Sequence, residues 1–173
     1  IAVKELFKAC EEEAKGLSER LHPKTKGAQI LTFDLPLICE DDEIAGLKSE
    51  LISAFSNLIS NAIRYTPAGG QITVKWIRTS ETVVFSVEDT GPGIAPEHFP
   101  RLSERFYRID RSRSRDTGGT GLGLAIVKHV IQRHGGSLDI ESKLNHGSKF
   151  SLQFPTLRCR SQESETTHQT EAI

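Results

Sequence analysis

Hydrophobic positions recur at three- and four-residue intervals over three stretches of the chain. In the first, Val3, Leu6, Cys10, Ala14, Leu17 and Leu21 line one side of a helix predicted over residues 1 to 21. In the second, Leu51, Phe55, Leu58, Ile59 and Ala62 do so over 48 to 65, and Pro67, Gly69 and Gly70 stop it. The third covers 122 to 134 and ends at Gly135-Gly136, a good C-terminal stop. Elsewhere the pattern alternates. Residues 29 to 35, 43 to 45, 71 to 79, 82 to 89, 137 to 142 and 149 to 154 read as strands. A Ser80-Glu81 turn makes one hairpin and Asn145-His146-Gly147 another, while Pro23 and Gly27 mark a turn at 22 to 27.

Two stretches fit neither period. Residues 90 to 120 hold prolines and glycines early, a run of arginines, and glycines late. That is too long and too polar for a plain connection, and it predicts a functional lid. From Thr156 onward Ser, Thr, Glu and Gln dominate, predicting a disordered tail over 156 to 173 behind one folded domain over 1 to 155. Strands gathered into hairpins predict an α+β two-layer sandwich, not a doubly wound parallel sheet.

Composition narrows the classes. A chain of 173 residues suffices for one domain with a full core. Its net charge of −1 gives no global field to gather nucleic acid or an anionic membrane. Cys10, Cys39 and Cys159 are odd in number and far apart, which suggests neither a disulfide framework nor a zinc site and fits a reducing compartment. No apolar run approaches the roughly 20 residues of a membrane helix, and no signal peptide is present. A start at Ile1 and the absence of methionine predict a fragment of a longer protein.

Three features carry chemistry. On the predicted helix 48 to 65, Asn57, Asn61 and Arg64 fall opposite the apolar side, stacked by four- and three-residue spacing. Asparagine is a mediocre helix former, so two of them one turn apart call for a reason. Their amide oxygens suit Mg²⁺, and an arginine suits the phosphates sharing that metal; a solvated polar face is the plainer alternative. Next, Asp89 ends a β-run and is followed by Thr90-Gly91-Pro92-Gly93-Ile94. Glycines there let backbone approach a ligand, and a buried carboxylate can accept a hydrogen bond from an exocyclic amine; an ordinary turn is the alternative. Third, Gly118-Gly119-Thr120-Gly121-Leu122-Gly123-Leu124 opens the last helix, where exposed backbone N–H groups and the helix dipole suit phosphate. A dinucleotide fingerprint would need glycine at 124 or 126, where Leu124 and Ile126 stand; a P-loop would need lysine at 124.

In this order and spacing the three features resemble the catalytic, ATP-binding domain of sensor histidine kinases, within the group that includes gyrase, Hsp90 and MutL ATPases. Asn57 to Thr66 resembles the N box, Asp89 to Ile94 the G1 box, Gly119 to Leu124 the G2 box, and Phe99 to Phe106 with Tyr107-Arg108 the F box. His134-Gly135-Gly136 and Gly147 to Phe150 match the closing segment, and the stretch 97 to 108 is similar to phosphate-regulon sensor kinases.

The resemblance implies a Bergerat fold: a mixed, mostly antiparallel sheet packed on three helices, with an ATP lid over 95 to 118. It implies Asp89 on the adenine amine with Ser148 nearby, and Asn61 and Asn57 on Mg²⁺. Arg64 and Tyr65 would meet phosphate and ribose, and Arg108 the γ-phosphate. Gly91, Gly93 and Ile94, with Gly119, Thr120, Gly121, Leu122, Gly123 and Leu124, would complete the ATP site. Arg64 and Thr90 depart from the family's commoner lysine and asparagine.

The acceptor histidine expected on a dimerisation hairpin is missing: none of His22, His98, His129, His134, His146 and His168 is followed by an acidic residue. His129 and His134, five apart, share no metal face, and no zinc is expected. The implied partners are that hairpin and a response regulator, without nucleic acid or membrane contact, for a monomeric cytoplasmic fragment of a parent in the bacterial inner membrane. A clamp-type ATPase would want a water-activating glutamate one turn before Asn61, where Asn57 stands. A nucleotide sensor without catalysis is the remaining alternative.

Overall fold

A computed structural model describes residues 1 to 23, 27 to 109 and 120 to 161. The chain runs α1 (Val3–Leu21), β1 (Ile30–Asp34), β2 (Asp42–Ile44), α2 (Lys48–Tyr65), β3 (Gln71–Arg78), β4 (Thr82–Asp89), α3 (Gly123–Arg133), β5 (Ser137–Lys143), β6 (Gly147–Pro155) and β7 (Cys159–Ser161). Five strands form one sheet in the order β1-β3-β4-β6-β5. Only β1 runs parallel to its neighbour; the other pairs are antiparallel. The expected sandwich and the mixed, mostly antiparallel sheet are both present.

The helices form where the periodicity placed them, and α2 has the predicted bounds. Each α-helix lacks a side-chain N-cap, so packing of its apolar stripe has to supply the stability that capping does not. Leu51, Phe55, Leu58 and Ile59 of α2 are buried in the core. Phe55 stacks on Phe85 of β4 at 3.9 Å, and Phe7 of α1 meets Phe33, Trp76 and Phe85 edge-on. Because alternate strand residues face the helices, Ile72, Val74 and Trp76 are buried while Gln71 and Ile77 are exposed.

Sheet direction separates two poles. β4 ends at Asp89 and β6 begins at Gly147-Ser148, so one pole gathers the turns expected to carry chemistry. The other holds Asp42, which is fully buried and accepts hydrogen bonds from the Trp76 indole (3.0 Å) and the Arg78 guanidinium. Burial first, and Asp42 second, push the Cys159 thiol up to about 12, so it stays protonated and unreactive at neutral pH.

Residues 156 to 161, expected within the tail, are ordered. Residues 156 to 158 form a 3-10 turn, and β7 pairs antiparallel with β2, Ile44 opposite Cys159. The Ala45 amide donates to the Arg158 carbonyl at 2.7 Å and Thr156 to Glu81 at 3.3 Å. Backbone pairing orders this segment, with Leu157 98% exposed, so its polar composition was a poor guide. The tail expected over 162 to 173 lies outside the described residues.

Arg78→Ala strands the Asp42 carboxylate in the interior and should cost about 3 kcal/mol in denaturant unfolding. Adding Asp42→Asn should recover part of that loss, since the uncompensated charge is then gone.

Candidate nucleotide site

Four elements converge on the pole where β4 ends. Asp89, 7% exposed, sits between Ile72 of β3 and Ser148 of β6 in register. Its Oδ1 accepts the Gly91 N–H at 2.8 Å. Burial pushes the Asp89 carboxyl above the usual range, while the Gly91 and Ser148 backbone amides pull the other way. A carboxylate held dry and still ionisable is suited to an amine donor.

Two glycines permit the close approach around it. A side chain on Gly147 would collide with the Asp89 carbonyl, and one on Gly93 with the Lys143 carbonyl. Both also have positive φ, +99 and +68. The Ile94 amide donates to Ser142 Oγ at 2.8 Å, and Ser142 Oγ lies 2.9 Å from Ser148 Oγ. Ser142 therefore ties the turn after β4 to the hairpin facing it. Ser142 shares its strand face with Leu138 and Ile140, but the strand pattern gave no hint of its partners.

The α2 face forms the adjoining wall. Asn57, Asn61 and Arg64 are half-buried along it, and Tyr65 ends the helix half-exposed. Asn57 donates its amide to the Ser53 carbonyl at 2.7 Å, which leaves Oδ1 pointing away from the helix. A Cβ on Gly123, the first residue of α3, would lie 2.8 Å from that Oδ1 and 3.7 Å from the Asn61 amide nitrogen. The missing side chain thus lets the start of α3 approach both amides, and the Asn57 oxygen there is a neutral hard ligand that fits Mg²⁺ with its retained waters. At the C-terminal end of α2, a Cβ on Gly91 would stand 3.2 Å from the Tyr65 carbonyl.

Gln29, expected only as the start of a strand, holds the end of α2. It is buried, accepts from Ser18 Oγ, and donates to the carbonyls of Ile63 and Thr66 at 2.9 and 2.6 Å. Carbonyls at a helix end otherwise lack partners. The Thr66 hydroxyl is buried without a hydrogen-bond partner.

The glycine loop is described from Thr120. Gly121 has φ +72 and accepts the Phe106 N–H at 2.9 Å, and Arg108 Cγ stands 3.2 Å from a Gly121 Cβ position. Leu122 and Leu124 flank Gly123 and are half-buried. Gly118 and Gly119, and residues 110 to 118 of the lid expected over 95 to 118, lie outside the described residues; within the described part, 96 to 101 forms a 3-10 turn. The structure therefore brings together Asp89, Gly91, Gly93, Ile94, Ser148, the α2 amides and Gly123.

A buried carboxylate beside glycine turns, an asparagine face and a glycine-opened helix define an ATP-binding module. The family model for histidine kinase-, DNA gyrase B- and HSP90-like ATPases matches residues 46–158, and the chain belongs to that family. The phosphate regulon sensor protein PhoR of Pseudomonas aeruginosa is 53% identical over 112 residues, 65% of this chain and 25% of that protein. The sensor histidine kinase RppB of Synechocystis is 49% identical over 110 residues, 64% of this chain and 24% of that protein. The chain thus spans about a quarter of the length of these curated relatives. Among solved structures, the mycobacterial sensor histidine kinase MprB superposes with a TM-score of 0.72 at 25% identity, covering 90% of this chain and 95% of that one. ShkA in complex with AMPPNP gives 0.71 at 26% identity, covering 90% of this chain and 30% of that one.

Gly123→Ala should crowd the Asn57 oxygen and weaken the magnesium-dependent part of nucleotide binding about tenfold in calorimetry, equivalent to ~1.4 kcal/mol. At neutral pH the ionised Asp89 is a cost to folding, because its folded-state pKa is raised. That cost shrinks as pH falls below the raised value and is gone once pH is below the ordinary carboxylate range. Asp89→Asn keeps the acceptor for Gly91 without the charge and should leave the melting temperature unchanged or higher at neutral pH.

Proposed function

We propose that this chain is the Mg·ATP-binding catalytic domain of a two-component sensor histidine kinase. In this reading it delivers the γ-phosphoryl to a histidine on a separate dimerising domain. The observation that carries it is the buried Asp89, presented at the end of β4 beside Ser148 and next to an asparagine-lined helix opened by Gly123.

Asp89 accepts a hydrogen bond from the adenine amine, and Ser148 supports that edge through its contact with Ser142. Gly91, Gly93 and Ile94 form the backbone wall beside the purine. Asn61, assisted by Asn57, holds Mg²⁺; Arg64 meets phosphate and Tyr65 the ribose. Magnesium, when bound, neutralises charge on the phosphates during transfer. The backbone from Gly119 through Thr120, Gly121, Leu122 and Gly123 to Leu124 wraps the phosphates at a helix N-terminus. Arg108, on the loop that meets Gly121, contacts the γ-phosphate. With little covalent chemistry for the protein to do, positioning and charge account for the rate. Similarity to phosphate-regulon sensors supports phosphate signalling through a response regulator as the parent's task. The parent is then a bacterial inner-membrane protein, and this fragment a cytoplasmic monomer.

Mixed with its dimerisation hairpin and γ-labelled ATP, the chain should place acid-labile label on the hairpin. Free phosphate without labelled hairpin would instead indicate a clamp-type ATPase. Asp89→Asn should lower affinity for a non-hydrolysable Mg·ATP analogue by about ten- to a hundredfold, the loss of one charged hydrogen bond; unchanged affinity would exclude the purine contact.

A further inference from the structure

The segment between the 96–101 turn and Arg108 is held by contacts that the nucleotide pocket does not explain. His98 Nδ1 lies 2.7 Å from the Tyr107 hydroxyl. The Arg101 guanidinium sits 4.3 Å from the centre of the same ring, and its Nε donates to Glu104 at 3.1 Å. The Tyr107 amide donates to the Glu104 carbonyl at 3.3 Å, and Lys128 of α3 donates to Ser103 at 3.3 Å.

These contacts surround a costly backbone. Phe106 has φ +64, a left-handed conformation that disfavours a bulky side chain, and the residue is 70% exposed. Such a residue persists only where its surroundings over-determine it. On one side Phe106 N–H is fixed to the Gly121 carbonyl. On the other, Tyr107 is clamped by His98 and Arg101. The turn so enforced sets the direction of the next residue, Arg108, against Gly121.

We propose that His98 is a positioning residue for phosphoryl transfer: its bond to the Tyr107 hydroxyl fixes the strained turn that presents Arg108 to the glycine loop. This rests on the reading of Arg108 as the γ-phosphate contact. The purine side of the pocket stands on β4, β6 and the end of α2, so the His98–Tyr107 bond acts on transfer and not on nucleotide uptake.

The test uses the kinase that carries this domain, γ-labelled ATP at saturation, and a parallel measurement of Mg·ATP affinity. His98→Ala and Tyr107→Phe should each slow labelling about tenfold, a displacement effect of one hydrogen bond, with affinity changed less than about twofold. His98→Asn, whose Oδ1 can take the place of Nδ1, should restore most of the rate. The double variant should be no slower than either single one, as expected of two ends of one bond. In an Arg108→Ala background, Tyr107→Phe should cost nothing further. The proposal is overturned if Tyr107→Phe transfers at the normal rate, if affinity falls in step with rate, or if the penalty persists without Arg108. If Arg108→Ala itself transfers normally, both the proposal and the reading of Arg108 fail. A slow Arg108→Ala with a normal Tyr107→Phe removes the proposal alone.

Discussion

The site depends on one close backbone approach. Where β4 ends and β6 begins, the Asp89 carbonyl occupies space that any side chain on residue 147 would need. Only glycine lets the two strands close there, and only that closure puts the Asp89 carboxylate under Ser148 and out of water. The second approach, Gly93 against Lys143, folds the following turn back onto the β5–β6 hairpin. The raised proton affinity of Asp89 is the electrostatic mark of this packing. A buried carboxylate lowers the stability of the empty domain and makes an amine-bearing ligand worth more when it arrives.

Helix α2 connects that carboxylate to the rest. Its apolar side is anchored by Phe55 on Phe85, so its polar side cannot rotate away from the pocket. Its C-terminus is fixed by Gln29, which bridges α1 and α2 through Ser18 and two helix-end carbonyls. Asparagines that would weaken an isolated helix are tolerated because tertiary packing, not propensity, holds it. At the opposite pole Asp42, Trp76 and Arg78 fix β2 and the C-terminal strand. The nucleotide pole is thereby left to carry strained and glycine-rich turns.

The third wall is held through separate non-covalent contacts: Phe106 on Gly121, Tyr107 between His98 and Arg101, and Lys128 on Ser103. Such a segment can present a cation from outside the sheet, as loops on a stable scaffold commonly do.

Periodicity by itself determined all three helices and the two hairpins, because a buried face repeats every 3.6 residues on a helix and every two on a strand. Motif spacing marked Asn57, Asn61, Asp89, Gly91, Gly93 and Gly123, since a ligand approached by bare backbone demands glycine whatever the surroundings. Tertiary structure alone decided the rest. Ser142 acts through Ile94, 48 residues away, Gln29 through Ile63, 34 away, and His98 through Tyr107 across a turn, and no residue pattern encodes which hydroxyl, amide or carbonyl will face them. The strand at Cys159–Ser161 likewise needs only the open edge of β2, so its polar composition carried no sign of order. Sequence fixes what each segment must bury; where two segments meet, and which polar groups they leave to satisfy one another, is settled when the sheet closes.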